Sequence, residues 1–531
     1  RTMKMINVII FIAALLLNKA FSNDTSRHQD NSTVLTKYFY IYDWPEFMSD
    51  VWPPENTTLH AETPYRHDFR PNDGAGKCIA TDIGYFSTWQ FALYRLSIAR
   101  LRTSEYRTLD PALASAFIIP FDLGVHSFID HRNGKVRVAS PHGWRAVEYL
   151  KEATKSPIFW RRNGHDHFVL FSVTSHQIIG IGAKVFLTQT CMNCSVLTIE
   201  TTPTNTARKY YSGKSKKWWF AVPYPSSFHL WEGIRSPSWE SPGRPLMAVF
   251  IGSLHTQTVA SNQLRRRLFA DCQRESHLNS SRRCAAFDTE HTDAAMLQQS
   301  DNLLLYRQSV FCLAPPGDSL TRKSLFDSLL AGCIPVVFCS ATISQYAWHL
   351  PQPKLPQDTL GEVSVYIPRQ SVAEDGLNFL DVLANISSTT IASMQRHIAA
   401  LAPSLQYSVV PPGYGPEYDP VNVANKEKKR RGKLRQRGHN EVPQPPVKFR
   451  GNVWRPPQRD AVDVMVEHML DPRTIEPLEG FTANEWQALQ VAQQDVNLVT
   501  PSYTGYLDAA SAAKAEKRPL PAAHPPPRSA V

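Results

Sequence analysis

The chain has 531 residues, of which 42% are hydrophobic and 11% aromatic, and its formal net charge is +10. This length exceeds the roughly 250–300 residues at which a single core stops growing, so more than one domain is expected. The charge does not indicate a nucleic-acid-binding protein, because residues 426–437 alone contain eight basic side chains and one acidic one. Such a local run is typical of a solvated, flexible segment.

The N-terminal residues have the pattern of a secretory signal. Basic Arg1 and Lys4 precede an apolar run at residues 6–17, and small residues follow it. The run is shorter than the about 20 residues that cross a bilayer, which favours a cleaved signal peptide over a signal anchor at residues 1–22. A polar stem is expected at residues 23–36. Both alternatives send the chain into the secretory pathway.

Sequons and cysteines agree with a lumenal chain. Six Asn-x-Ser/Thr sequons are potential glycan acceptors; they begin at Asn23, Asn31, Asn56, Asn193, Asn279 and Asn385. The eight cysteines form an even number compatible with disulfides, although the pairing cannot be read from sequence. Cys191 and Cys194 form the only CxxC, and no second pair supplies the further ligands of a zinc site.

Short apolar strands alternate with amphipathic helices in the first half of the chain. The periodicity predicts strands at residues 37–42, 166–172 and 183–187, helices at 89–102 and 143–154, and a helix end that runs into a strand at 111–120. Strands separated by helices favour a parallel sheet covered on both faces. Residues 37–240 are therefore expected to form one α/β domain.

The same pattern restarts after an irregular, aromatic-rich connection. It predicts strands at 246–251, 309–313 and 334–338 and helices at 262–272, 319–332 and 391–401, within a second α/β domain at residues 241–410. Composition then predicts a basic, proline-rich disordered insertion at 411–458, a helical segment at 459–500 and an unstructured tail at 501–531.

Residues 311–338 carry the clearest chemical signal. A strand leads into Pro315-Pro316-Gly317 and then a helix, whose first turn offers unpaired N–H groups and a positive dipole end for an anion. The alternative is an ordinary strand–helix turn capped by its own polar residues. The candidates for holding a nucleotide diphosphate and its ribose here are Gly317, Asp318, Ser319, Thr321, Arg322, Lys323, Ser324 and Asp327.

Residues 309–338 and 345–351 together closely resemble glycosyltransferase family 47, the exostosin-like enzymes, and within it the plant xyloglucan galactosyltransferase branch. Supporting matches lie at residues 40–43, 116–121, 163–168, 222–229, 250–252 and 460–464. The resemblance covers about residues 37–410 and 459–470. It implies a GT-B architecture, in which two Rossmann-like domains face each other across a cleft, with the acceptor on the first domain and the UDP-sugar mainly on the second.

The resemblance also implies further donor-site residues. Gly252 and Gly317 are expected at the carboxyl ends of strands, where ligands of such sheets bind. Arg265 matches an arginine of the xyloglucan branch and is expected to reach the phosphates, with a solvated helix charge as the alternative. Many family members carry arginine at the position of Ser324, whereas the xyloglucan branch has serine there.

Inversion at the sugar carbon, which the family implies, favours a catalytic base. Asp166 and His167 lead into a predicted strand and are the first candidates at a sheet edge facing the cleft; their alternative roles are a turn cap and a backbone hydrogen bond. Asp122 and His126 are the second pair of candidates. Aromatic side chains are also candidates to stack on sugar rings or to pack in the core; these are Trp218, Trp219, Phe220 and Tyr224.

No metal or other cofactor is expected beyond the UDP-sugar donor. Metal-using glycosyltransferases commonly hold the diphosphate through Asp-x-Asp, and the chain has none; residues 288–290 are the nearest approach, in a hydrophilic stretch expected to be exposed. The helix N-terminus, Arg322 and Lys323 would then neutralise the leaving group.

The preferred interpretation is a Golgi-lumenal transferase, with a single-pass type II membrane protein as the anchored alternative, that moves a sugar to a polysaccharide or glycoprotein glycan. The resemblance to the xyloglucan branch implies UDP-galactose as the donor, with UDP-glucuronate, UDP-xylose and UDP-arabinose as alternatives. The transferase would work alone or with a partner glycosyltransferase, and would not bind nucleic acid. A catalytically silent glycan-binding or partner-stabilising subunit is the alternative, and an intact diphosphate cradle argues against it. A secreted polyanion-binding protein is a third, but its basic run lies outside every catalytic element.

Overall fold

The computed structural model describes residues 37–42, 75, 78–80, 84–120, 155–174, 191, 193–201, 219–230, 243–256, 258–277, 283–289, 299–352, 358–411, 414 and 453–471. The predicted signal, stem and tail, the helix at 143–154, the strand at 183–187 and the candidates Asp122 and His126 lie outside these residues. Among the described residues, no helix combines the length and apolarity needed to span a bilayer.

The helices and strands are numbered here in chain order. The strands are β1 (Tyr38–Ile41), β2 (Cys78–Ala80), β3 (Tyr85–Phe86), β4 (Arg107–Thr108), β5 (Ala114–Ile119), β6 (His167–Phe171), β7 (Ser195–Thr198), β8 (Trp219–Ala221), β9 (His229–Leu230), β10 (Leu246–Ile251), β11 (Cys284–Phe287), β12 (Ser309–Ala314), β13 (Ile334–Val337), β14 (Val365–Tyr366) and β15 (Tyr407–Ser408). The helices are α1 (Leu93–Arg102), α2 (Pro157–Trp160), α3 (Val259–His277), α4 (Gln299–Gln308), α5 (Lys323–Leu330), α6 (Ala341–Ser344), α7 (Arg369–Ala373), α8 (Phe379–Ala384), α9 (Ser388–Leu405) and α10 (Ala461–Met469).

Two parallel sheets organise the chain. The first has the order β4-β1-β5-β6-β7-β8 and the second has the order β11-β10-β12-β13-β14, with every pairing parallel. Strands such as β6 and β13 are buried along their whole length, as expected for parallel strands covered on both faces. The predicted α/β class with parallel sheets is confirmed.

Both sheets contain a point at which the chain reverses its direction of travel across the sheet. The first strand of each sheet lies between the next two strands of the same sheet: β1 lies between β4 and β5, and β10 lies between β11 and β12. Connections on the two sides of such a point diverge, which leaves a crevice at the carboxyl ends of the strands, where open α/β sheets bind ligands. In the second sheet this crevice lies between the loops that follow β10 and β12.

The helix predicted from residue 319 begins later, at Lys323. Arg322 has an extended backbone, with φ −153° and ψ 161°, because tertiary hydrogen bonds hold the residues before it. The sequence pattern also missed β11 and α4, and it ended the helix at 391–401 too early, since α9 extends over Ser388–Leu405.

The C-terminal part of the described chain returns to the first sheet. α10 begins with a capping box between Asp460 and Asp463, which explains why the predicted helical spacing forms a helix there. Arg100 of α1 binds both carboxylates, and β15 pairs with β9. Trp454 is buried, and its backbone N–H donates a hydrogen bond to the Thr103 carbonyl. The proposed disordered insertion at 411–458 is therefore too long at its C-terminal end.

Three disulfides connect Cys191 with Cys194, Cys272 with Cys284, and Cys312 with Cys333. Cys339 is buried. Contacts divide the chain into two units, Arg1–Lys37 and Tyr38–Val531, and every helix and strand described here belongs to the second unit.

Candidate functional site

The loop between β12 and α5, residues 315–322, lies beside the crevice of the second sheet. The guanidinium of Arg265 holds it in place by donating to the carbonyl oxygens of Pro315 (3.1 Å) and Pro316 (2.9 Å). A third bond runs to the Ser253 carbonyl, 2.6 Å away, in the loop that follows β10. Arg265 therefore connects the two loops on either side of the switch point.

Arg265 is only 2% exposed, so the alternative that it is a solvated helix charge is wrong. Burial, reinforced by the neighbouring Arg322 charge, lowers the pKa of Arg265 to about 9. The guanidinium therefore stays charged at neutral pH, and it contributes positive potential to the crevice. Since its donors are engaged with carbonyl oxygens, direct contact with phosphates stays a prediction.

Two glycines make room for arginine side chains at this site. A Cβ on Gly252 would lie 3.1 Å from Nη1 of Arg265, and a Cβ on Gly317 would overlap the guanidinium of Arg322. Because Gly317 has no side chain, Arg322 can fold back over its Cα. The two glycines do lie at the carboxyl ends of neighbouring strands, as the sequence predicted.

Arg322 is half-buried at the start of α5. Its Nε and the Oγ1 of Thr321 are buried, and neither has a hydrogen-bond partner among the described residues. Most buried polar atoms in proteins are paired, so unpaired ones call for an explanation such as a ligand. Asp318 is exposed in the same loop, and Ser324 is half-buried in the first turn of α5.

Lys323 and Asp327 are engaged differently from the prediction. Nζ of Lys323 lies 2.7 Å from Oδ2 of Asp327 and 2.6 Å from Oγ of Ser227. Oδ1 of Asp327 accepts from the Ser226 hydroxyl at 2.7 Å and from the Ser227 N–H at 2.9 Å. The pair thus fastens α5 to the segment after β8 of the first sheet, and binding of ribose by Asp327 stays a prediction.

Glu200 is a site residue that the sequence interpretation missed. It follows β7 of the first sheet and is fully buried. Oε1 accepts from the Leu320 N–H at 2.7 Å, and Oε2 accepts from the hydroxyls of Ser319 (2.9 Å) and Tyr224 (3.0 Å). Burial raises the pKa of Glu200 to about 7. An acidic residue directly after the apolar stretch 195–199 was the available signal.

Asp166 and His167, the first base candidates, are placed away from the carboxyl end of their strand, and their role as a base stays a prediction. Both are fully buried at the amino end of β6, whereas ligands of parallel sheets bind at carboxyl ends. His167 lies 2.7 Å from Asp166 through Nδ1 and 2.7 Å from the Tyr42 hydroxyl through Nε2. Its ring stacks on Phe117, and burial lowers its pKa. These contacts match a structural role.

Two smaller expectations can also be compared with the structure. The stretch 288–290 was predicted to be exposed, but its first residue, Asp288, is buried. Within the described ranges, no group of three or more His, Cys, Asp or Glu side chains is placed to hold a metal ion. Tyr224 is 3% exposed, and Phe220 stacks on Trp348 with ring centroids 4.2 Å apart. Both rings thus pack within the protein.

The comparisons place these features in a family. Residues 35–382 match the model of the Exostosin GT47 domain, a range that includes both sheets, Glu200 and the loop 315–322. The chain belongs to the exostosin GT47 family. This confirms the resemblance drawn from residues 309–338 and 345–351. The basic run at 426–437 lies outside the matched range.

Relatives of this GT47 chain have been found in Arabidopsis thaliana. Probable xyloglucan galactosyltransferase GT15 is 26% identical over 72% of this chain and 79% of its own length, and GT17 of the same description is 29% identical over 64% and 70%. The solved pneumococcal O-GlcNAc transferase GtfA, in complex with UDP and GlcNAc, shares 10% identity at a TM-score of 0.24 over 55% of this chain and 60% of its own. A likeness that weak supports no conclusion about fold or function.

Proposed function

We propose that this protein is a glycosyltransferase that moves a sugar from a UDP-sugar to a polysaccharide or glycoprotein glycan, with galactose as the first donor sugar to test. The observation that carries the proposal is the loop 315–322 of an exostosin GT47 chain, which lies at the switch point of a parallel sheet. Arg265 donates hydrogen bonds to two carbonyl oxygens of this loop, and the buried Nε of Arg322 has no hydrogen-bond partner among the described residues. An anionic diphosphate fits that charge and the N-terminus of α5.

A GT-B arrangement is part of the proposal. The two sheets would belong to two Rossmann-like domains, with the acceptor bound by residues 37–240 and the UDP-sugar mainly by residues 241–410. In support, strand order and parallel pairing are those of open α/β sheets in both halves. Glu200, after a strand of the first sheet, also meets the donor loop of the second.

The proposed reaction inverts the configuration at the anomeric carbon. The acceptor hydroxyl attacks that carbon opposite the departing UDP, the glycosidic bond to the diphosphate breaks, and a base takes the hydroxyl proton. Arg322 and the N-terminus of α5 stabilise the charge that develops on the leaving diphosphate. All four base candidates remain predictions: Asp166 and His167, which are buried at the amino end of β6, and Asp122 and His126.

A Golgi-lumenal location completes the proposal, with the protein either cleaved after residue 22 or anchored once through its N-terminus. Three disulfides support an oxidising compartment. A catalytically silent glycan-binding or partner-stabilising subunit is the second candidate. It is favoured by the engagement of Lys323 and Asp327 with each other and with residues 226–227.

UDP release tests the proposed function. The purified full-length chain is incubated with a panel of UDP-sugars, with and without glycan acceptors and EDTA. We expect release that requires one sugar and an acceptor and that persists in EDTA, because the site relies on arginine and helix-terminal charge. Loss of release in EDTA, restored by a divalent cation, would refute metal independence. No turnover and no UDP binding at millimolar concentration would refute the transferase and support the silent subunit.

Replacing Gly317 by alanine should weaken donor binding without unfolding the protein. The new Cβ would overlap the Arg322 guanidinium, which is the mobile end of a long side chain and can move away. We expect UDP affinity to fall by about tenfold, as for loss of one charged hydrogen bond. The measurement is UDP titration calorimetry. The control is Gly361→Ala, in a loop where the new Cβ would lie 3.3 Å from the Ser364 carbonyl, and it should keep the wild-type affinity for UDP. A Gly317→Ala variant that binds UDP as tightly as this control would contradict the placement of Arg322.

A further inference from the structure

Glu200 connects the first sheet to the loop that carries Arg322. The carboxylate follows β7 of the first sheet, yet it accepts hydrogen bonds from the Ser319 hydroxyl and the Leu320 N–H of the second half of the chain. The third donor, the Tyr224 hydroxyl, comes from the segment after β8. Two oxygens thus satisfy three donors from two separate segments.

The backbone around Glu200 is itself fastened across the same boundary. The Ile199 carbonyl accepts from the Tyr346 hydroxyl at 2.7 Å, and the Thr201 N–H donates to Oε1 of Gln345 at 2.9 Å. Three consecutive residues, 199–201, therefore bind the second half of the chain. Glu200 is held rigidly enough to determine where the loop lies.

A buried carboxylate needs a reason, because removing its charge from water costs several kcal/mol. Glu200 is an acceptor-only group when ionised, so it matches an N–H and two hydroxyls that point at it. An apolar side chain at this position would leave the Leu320 N–H buried without a partner. Holding the loop is the role that these contacts account for.

The other side of the loop is held as well. The Thr342 hydroxyl donates to the Leu320 carbonyl at 3.0 Å, and the Leu320 side chain packs with Cys339 and Ala341. Leu320 is therefore fixed through its N–H, its carbonyl and its side chain. This explains why residues 319–322 stay outside the helix, although the sequence pattern favours helix from residue 319.

We propose that Glu200 is a positioning residue of the donor site, which holds Ser319 and Leu320 so that residues 319–322 stay outside the helix and Arg322 lies over Gly317. Glu200 acts through the loop and does not touch the donor. If the loop were released, α5 could extend toward residue 319, and Arg322 would leave its position over Gly317. The inference rests on the proposed function, because it assumes that the loop binds a UDP-sugar.

The test compares Glu200→Ala and Glu200→Gln with the wild-type chain. Alanine removes every acceptor, and we expect the KM for the UDP-sugar and the Kd for UDP to rise by about tenfold or more. Glutamine keeps the shape and one acceptor oxygen for the Leu320 N–H, so it should restore part of the loss. The KM for the glycan acceptor should not change in either variant, since the loop does not hold the acceptor.

A pH profile separates positioning from bulk stabilisation. The Glu200 pKa of about 7 implies that the carboxyl group loses its proton as pH rises through 7. The carboxylate then accepts hydrogen bonds from the Ser319 hydroxyl, the Leu320 N–H and the Tyr224 hydroxyl. The KM for the UDP-sugar should therefore fall between pH 6 and pH 8 in the wild type and stay flat in Glu200→Gln. Tyr224 and Tyr346 face the carboxyl group, have raised pKa values and stay neutral in this range; the basic side chain beside Tyr224 is that of Arg322.

Asp460→Asn is the matched control, because Asp460 is another fully buried carboxylate that accepts from a backbone N–H, that of Ser408. It should lower the thermal midpoint and leave the Kd for UDP unchanged. If the Glu200 variants have a lower thermal midpoint but the wild-type Kd for UDP and the wild-type pH profile, this inference is overturned and the proposed function is not. A wild-type chain that binds no UDP would overturn the proposed function and the inference with it.

Discussion

Replacing Arg322 by alanine is expected to lower kcat/KM for the UDP-sugar by about 10²-fold or more, the usual effect of removing one preorganised charge from a leaving-group site. The guanidinium is half-buried over Gly317 at the carboxyl edge of the second sheet, and the local field is already positive because of Arg265. The substitution removes a positively charged side chain whose Nε has no hydrogen-bond partner among the described residues and could therefore bind a diphosphate. Steady-state kinetics with the donor identified by UDP release provide the measurement.

Two matched variants make this result specific. Arg266→Ala removes an exposed arginine from α3 and should change kcat/KM by less than about twofold, as for a screened surface charge. Arg322→Lys keeps the charge but not the planar fork, so it should recover only part of the loss. Wild-type kcat/KM in Arg322→Ala would show that the diphosphate binds elsewhere.

Replacing Arg100 by alanine is expected to destabilise the protein by about 3–5 kcal/mol, because it leaves buried carboxylates without their cation. Arg100 is 3% exposed. Its guanidinium bonds to Asp460 at 3.2 Å and to Asp463 at 2.5 Å and lies over the Trp454 ring. The change would therefore release α10 and the end of the insertion from α1. The measurement is urea unfolding followed by tryptophan fluorescence.

The size of this effect should depend on pH. Burial, together with the Asp460 charge, raises the pKa of Asp463 to about 6. A raised carboxyl pKa means that the folded state binds more protons than the unfolded state, so this group stabilises the fold less as pH rises through 6. Without Arg100 the repulsion between the two carboxylates grows, and the loss should be larger at pH 7.5 than at pH 5.

Arg459→Ala is the control for the Arg100 variant. Arg459, just before α10, pairs at the surface with Glu467 of α10, with both side chains about half exposed, and such pairs contribute about 1 kcal/mol or less. Equal destabilisation by the two substitutions would mean that α10 is not held through Arg100.

The sequence by itself determined the second sheet most clearly. The strands β10, β12 and β13 were predicted from their apolar runs, and Gly317 marks the turn that precedes the predicted helix, although that helix begins four residues later than its pattern indicates. These features depend on neighbours within a few residues, since hydrophobic period and turn chemistry are local properties. The family resemblance rested on the same stretch, and the family match confirmed it.

Only the tertiary structure shows which polar groups hold the loop 315–322 and α5 in place. Glu200 meets Leu320, 120 residues away, and Asp327 accepts from Ser226, 101 residues away. The backbone at 319–322 is not helical, despite a local helical preference, because these distant bonds hold it. Asp166 and His167 form a conspicuous polar motif, but the direction of β6 places them away from the crevice. A carboxylate's partner depends on which strand ends meet in space, and no local pattern encodes that.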